Sequence, residues 1–231
     1  MAEKIPKWEA KLWSYIGSGD GRHCPLFRRC KLKDKGGWCP DANREHFNRL
    51  LNGGRFDINN PDFVKIKSEG EGRGELFQLV EMLAQRYIKM GGIHFPPVPT
   101  VLIGLIDRQR SIEVRTVPLM VYHGAVWCVK GSWIVQLKDS DISGAKRFTL
   151  FHEAFHILAH SKTTPVFRKK RGTLEGSFNE MLADYFAVCI LMPREWIKEK
   201  WAEVHDVNRM AEIFDVPELA MGLRLRQLGL I

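Results

Sequence analysis

The 231-residue sequence predicts an α+β fold: a small antiparallel sheet packed beside two core helices, a helical C-terminus and a small cysteine-containing N-terminal module. Three observations lead there. Residues 75–90 and most of the chain after 145 repeat apolar side chains at helical spacing. Between them, residues 100–138 break into short runs rich in Val, Ile and Trp, the composition of strands. Residues 17–40 hold Gly, Cys and basic residues with little apolar period. Helices, then strands, then helices make an α+β domain.

Hydrophobic residues make up 45% of the chain, enough for one sizeable core with a small appended module. No apolar run reaches the 18 or so residues of a membrane span, and MAEKIPKWEAKLW lacks the apolar region of a signal peptide. Five cysteines, an odd number, with no export signal point to a reducing cytoplasm rather than a disulfide framework. The net charge of +8 suits a nucleic-acid or acidic-protein partner, and equally a soluble basic enzyme. The chain has no internal repeat and no low-complexity tract.

Taken in order, residues 17–40 (GSGDGRHCPLFRRCKLKDKGGWCP) form an irregular basic loop, and DANREHFNRLLN a short helix with Asp41 as N-cap. NGGRFDINNPDF and SEGEGRGE read as loop and linker, with a boundary near 60–74. The N-terminal module then spans 1–60 and the main domain 75–231. In ELFQLVEMLAQRYIKM, Leu76, Leu79, Val80, Leu83 and Tyr87 share one helical face, and GGIHFPPVP ends the helix. TVLIGLI, SIEVRTVPLMVY, AVWCVK and SWIVQLK are the expected strands, the last two joined by a turn at Gly131-Ser132. Helices follow over 145–160, 178–191, 194–203, 207–214 and the segment PELAMGLRLRQLG.

The helix RFTLFHEAFHILAH is apolar nearly all round, so it should be buried. Burying His152, Glu153 and His156 within it is costly unless something binds them. His152 and His156, four apart, project from one face and can grip a single ion. Glu153 sits one residue round, where a carboxylate can reach a water on that ion and take its proton without ligating. A hydrolytic zinc site needs a third protein ligand and an open fourth position. In NEMLADYFAVCILMP, Glu180 and Asp184 share a face of an otherwise apolar helix with Phe178, Leu182, Tyr185, Phe186 and Cys189 as its core side. Glu180 can reach the ion, and Asp184 can accept the outer ring N–H of a ligating histidine. His160 lies about 12 Å up the helix from His152, too far to share their ion, and reads as an end-of-helix cap or a group outside the ligand set.

RFTLFHEAFHILAH, NEMLADYFAVCILMP and the final VNRMAEIFDVPELAMGLRLRQLGLI together resemble the ImmA/IrrE-type metallopeptidases, a gluzincin-like family, over roughly residues 75–231. The resemblance implies a zinc metallo-endopeptidase with His152, His156 and Glu180 as metal ligands and Glu153 as catalytic base. Zinc is the implied ion, with manganese as a substitute. Asp184 matches the position of a carboxylate supporting a histidine ligand. The implied activity is cytoplasmic cleavage of helix-turn-helix repressors, relieving repression in a stress response or on mobile-element induction. Ala154 and Phe155 replace the family's usual small-Gly pair inside the motif, and residues 1–60 lie outside the family core.

His23, Cys24, Cys30 and Cys39 fall within 17 residues of one another. They can fold a loop around a second, structural zinc with His23, His46 or Asp41 completing the set, hold an iron-sulfur or redox centre, or be inert thiols. Cys128 and Cys189 fall in expected core segments. Arg28, Arg29, Lys31, Lys33 and Lys35, and the run Arg168, Lys169, Lys170 and Arg171, are solvated charge or a means of steering an acidic segment or DNA. Tyr185 and Arg147 are candidate transition-state donors, and an edge strand among 125–138 can hold an extended substrate. The competing function is a non-proteolytic regulator that binds DNA or a protein partner through the basic N-terminal module. An intact Glu153 speaks against it, since a structural metal site has no use for a base.

Overall fold

The computed structural model describes residues 5–17, 71–120, 123–162 and 174–231. The expected cysteine module, the helix over DANREHFNRLLN and the two basic runs lie outside the described residues. The first helix, α1 (Lys7–Gly17), precedes α2 (Glu71–Met90), a 3₁₀ segment (Thr100–Leu105), strands β1 (Ile112–Val117), β2 (Gly124–Val129) and β3 (Ser132–Lys138), and helices α3 (Ser143–Lys162), α4 (Leu174–Leu191), α5 (Arg194–Val204), α6 (Val207–Phe214) and α7 (Glu218–Gln227). The fold is α+β, as the sequence predicts.

The apolar period of α2 holds: Leu76, Leu79, Val80, Leu83 and Tyr87 are all buried. The helix also takes in Glu71–Glu75, which the sequence reading gave to a linker. TVLIGLI is a 3₁₀ turn rather than a strand. Pro99 precedes it, and Leu102, Ile103 and Ile106 are buried while Thr100, Val101 and Gly104 are exposed, so the run turns at the surface instead of extending.

The sheet corrects a second expectation. Its order is β1-β3-β2, with β3 antiparallel to β2 but parallel to β1, so it is mixed rather than antiparallel. The β2–β3 hairpin turns on Lys130-Gly131, not Gly131-Ser132, because Val129 pairs with Ser132. Both turn residues have positive φ, 49° and 82°, the combination a two-residue type I′ turn requires and for which glycine is suited. Trp133, Val135 and Leu137 alternate along β3 into the core, and α3 packs against β2 and β3. Cys128, expected inside, is exposed on the edge strand β2, whereas Cys189 is buried.

α3 lies between the sheet and α4. Phe151, Phe155, Ile157 and Leu158 of α3 and Leu182, Phe186 and Ile190 of α4 are fully buried, with Phe155 and Phe186 ring centroids 5.6 Å apart. α2 covers the far side of α4, where Phe77 meets the Tyr185 ring edge-on at 4.6 Å. α1 adds Leu12 and Trp13 to the same core, with Trp13 6.1 Å from Phe155. Glu9 on α1 is buried, accepts from Trp13 Nε1 and pairs with Arg86 of α2.

A buried cation ties the C-terminus to this core. Arg224 of α7 has a fully buried side chain that donates to Met192 O (3.1 Å), Gln227 Oε1 (2.7 Å) and Glu81 Oε1 of α2 (3.1 Å). Burial works against the charge on Glu81, but Arg194 and Arg224 outweigh it and hold its pKa below the ordinary carboxylate value. Arg224→Met should therefore destabilise the protein by about 3 kcal/mol or more, because it strands buried acceptors. Chemical denaturation at neutral pH would measure this, and a loss under about 1 kcal/mol would show the network to be dispensable.

Candidate metal centre

The core packing of α3 fixes its rotation, and with it the direction of two imidazoles. Phe151, Ala154, Phe155, Ile157 and Leu158 are enclosed by the sheet, α1 and α4, which leaves His152 and His156 facing α4 one turn apart. On α4, Glu180 and Asp184 are likewise a turn apart and face back.

The ligand atoms converge. His152 Nε2 lies 3.1 Å from His156 Nε2 and 3.2 Å from Glu180 Oε2, and His156 Nε2 lies 3.4 Å from Glu180 Oε1. Tetrahedral zinc with N and O ligands at about 2.0–2.2 Å separates those ligands by about 3.3–3.5 Å. The three residues thus present donors at the spacing one such ion needs, and they are the one such group found among the described residues. His152 Nδ1–H donates to Asp184 Oδ1 at 2.7 Å, which leaves Nε2 aimed at the cluster. Two imidazoles, one carboxylate and a carboxylate-supported ring suit zinc or a similar divalent ion.

Charge follows from this geometry. Burial alone would lower the pKa of His152, but Asp184 beside Nδ1 and Glu180 beside Nε2 overrule it and hold the ring well above its ordinary value. Burial lowers His156; Glu180 opposes the fall and the charge on His152 adds to it. The two rings are thus shifted in opposite directions across the Nε2···Nε2 contact.

Glu153 is 9% exposed and sits one position round α3 from His152. Its neighbour across the gap is the start of the edge strand: a Cβ on Gly124 would stand 3.3 Å from Glu153 Oε1. The side chain of Glu180 is 47% exposed, so the cluster opens to solvent on that side. The two expected transition-state donors are engaged elsewhere. Arg147, about 7.5 Å down the helix axis from His152, donates to Val98 O (2.7 Å) and Asp215 O (3.1 Å). Tyr185 meets Phe77 edge-on and is paired with Cys189, and burial raises its pKa far above the ordinary phenol value. Cys189, its thiol pushed up to about 11 by burial, is held in the core as an unreactive thiol. The His160 side chain lies outside the described residues. Sequence reading missed Gly124 and Thr149, which meet beside Glu153.

A family model described as the IrrE N-terminal-like domain (Peptidase_M78) matches residues 108–226, just over half of the chain. Among solved structures, a Mycobacterium tuberculosis transcriptional regulator has a similar fold, with a TM-score of 0.50 and 16% sequence identity. The match covers 63% of this chain and 46% of that one, so the chain spans less than half the length of that structure. No curated protein matches.

Two outcomes are expected of purified protein. It should bind about one divalent ion with Glu180 required, so Glu180→Gln should weaken binding by more than the 10–100-fold typical of losing an outer partner. Full metal content by elemental analysis in that variant would exclude Glu180 as a ligand. Because the ion must displace the proton favoured on His152, affinity should also rise with pH until the raised pKa of that ring is passed. Competition against a chromogenic chelator at several pH values measures that slope, and a flat profile would show that no proton is displaced.

Proposed function

The chain belongs to the IrrE N-terminal-like domain family, of metallopeptidase type, and from that membership we propose that it is a zinc-dependent endopeptidase acting on a protein substrate. The observation that carries the reading is the placement of Glu153. A base serves hydrolysis only if it stands beside the ion yet outside its ligand set, in a place a substrate can reach. Glu153 is enclosed on α3 next to two convergent imidazoles and faces the first residue of an edge strand.

A zinc ion held by His152, His156 and Glu180 would lower the pKa of a water to about 7 and polarise a carbonyl. The rest falls to the chain's own residues. Glu153 accepts a proton from the attacking water and returns it to the leaving amine, so one carboxylate serves both half-reactions. Asp184 holds the His152 ring in the tautomer that leaves Nε2 free. Among the described residues β2 is hydrogen-bonded on one side only, to β3, and its Trp127, Cys128 and Val129 are exposed. An extended segment added along that free edge would run past Glu153.

The substrate class we propose is a helix-turn-helix repressor, cleaved to relieve repression in a stress or mobile-element response. This rests on the family. We also propose a cysteine-bound second zinc in the N-terminal module over 1–60, whose helix α1 packs on the main core; cobalt substitution in the full chain tests it, since thiolate charge-transfer absorption should vanish when Cys24, Cys30 and Cys39 become Ser.

Glu153→Gln keeps the size of the side chain but cannot take a proton. It should still bind metal and substrate yet cleave at least about 10²–10⁴-fold more slowly. Asp184→Asn should lose about 10–100-fold, since it alters only the support of a ligand. Both are measured on one repressor substrate with metal content checked in parallel. Cleavage by Glu153→Gln near the parental rate would end the peptidase reading.

A further inference from the structure

Gly124 opens β2 against the face of α3 that carries Thr149 and Glu153, one turn apart. A Cβ at this position would stand 2.3 Å from Thr149 Cγ2, 3.2 Å from the Gln136 carbonyl oxygen and 3.3 Å from Glu153 Oε1. Its φ is not in the left-handed region, so the backbone does not call for glycine here. The neighbours do.

Thr149 cannot give way cheaply. It is 5% exposed, and a β-branched side chain in a helix has few χ1 settings. Its Oγ1 is buried as well, with no hydrogen-bond partner, so any turn of the side chain has to be made inside a packed space. Beyond Thr149 stands the Glu153 carboxylate. The strand therefore closes on the helix at Thr149, with the base immediately beside that contact.

On the peptidase reading above, a substrate lying along β2 has its distance from Glu153 set by how closely β2 approaches α3. We propose that Gly124 is a positioning residue that holds this edge strand at contact distance from Thr149 and Glu153, and so sets the reach from Glu153 to the scissile bond. A single added methyl would lift the strand or turn the carboxylate. A displacement of about 1 Å at a reacting centre can cost about 10²-fold in rate.

The test uses the full-length, zinc-loaded protein and one cleavable repressor. Gly124→Ala should keep its metal and lose about 10–100-fold in kcat with KM changed less than about threefold. Thr149→Ser removes the methyl that the new Cβ would strike. Gly124→Ala/Thr149→Ser should therefore recover most of the lost kcat, measured against Thr149→Ser alone. A merely destabilising alanine would lower the melting temperature without this rescue. Parental kcat in Gly124→Ala, or a double variant no faster than the single, overturns the proposal and leaves the peptidase reading standing. If the parental protein itself cleaves nothing while Glu153→Gln behaves identically, both fall.

Discussion

The hydrogen bond from His152 Nδ1–H on α3 to Asp184 Oδ1 on α4, at 2.7 Å, sets the relation between the two central helices. Apolar contacts such as Phe155 on Phe186 hold the helices together but are forgiving of small slips, because one buried hydrocarbon replaces another at modest cost. A charged pair is not forgiving. Leaving one member of a buried pair without the other costs about 3–5 kcal/mol, more than most single packing changes recover. One residue of slip on α4 would set Ala183 or Tyr185 opposite the imidazole. The polar contact thus selects, from many similar packings, the one in which Glu180 also meets His152 and His156.

Much of this was legible in the sequence because it is local. The four-residue spacings of His152/His156 and Glu180/Asp184 survive into the structure as shared faces, since helix geometry alone carries them. The apolar period of α2 and the bounds of α6 at 207–214 were legible for the same reason. What the sequence did not disclose depends on contacts between distant segments. The parallel pairing of Ile112–Val117 with Ser132–Lys138 is decided by how the chain crosses the sheet. Gly124 meets Thr149 only after that crossing is made. TVLIGLI misled because a short apolar run has no periodicity by which to distinguish strand from turn. α1 was legible in principle, since Trp8, Leu12 and Ile16 recur at helical spacing among Lys7, Glu9 and Lys11, but its place in the main core depends on distant contacts with Phe155 and Arg86.

Arg147 shows how residue type and location can part company. A guanidinium five residues before His152 is chemically suited to steady a developing charge. Here it instead clasps Val98 O and the carbonyl of Asp215, whose φ of 48° closes α6. Ser143 donates to the same aspartate (2.8 Å), and a Cβ on Gly144 would come within 2.9 Å of Val216. The turn between α6 and α7 is thereby seated on the first turns of α3. The C-terminal helices brace the first turns of the helix whose middle carries the histidines.

The uneven burial of the three ligands bears on the order of assembly. His152 and His156 are set by core packing and by Asp184, contacts that form as the chain folds and need no ion. Glu180, with nearly half its side chain in solvent, would be the ligand on the side from which an ion could enter. Such a centre can be filled after the core has closed, unlike small zinc domains in which binding and folding are one event. On the peptidase reading, the folded protein would then be a receiver of metal, armed by the supply of free ion around it while its shape stays the same.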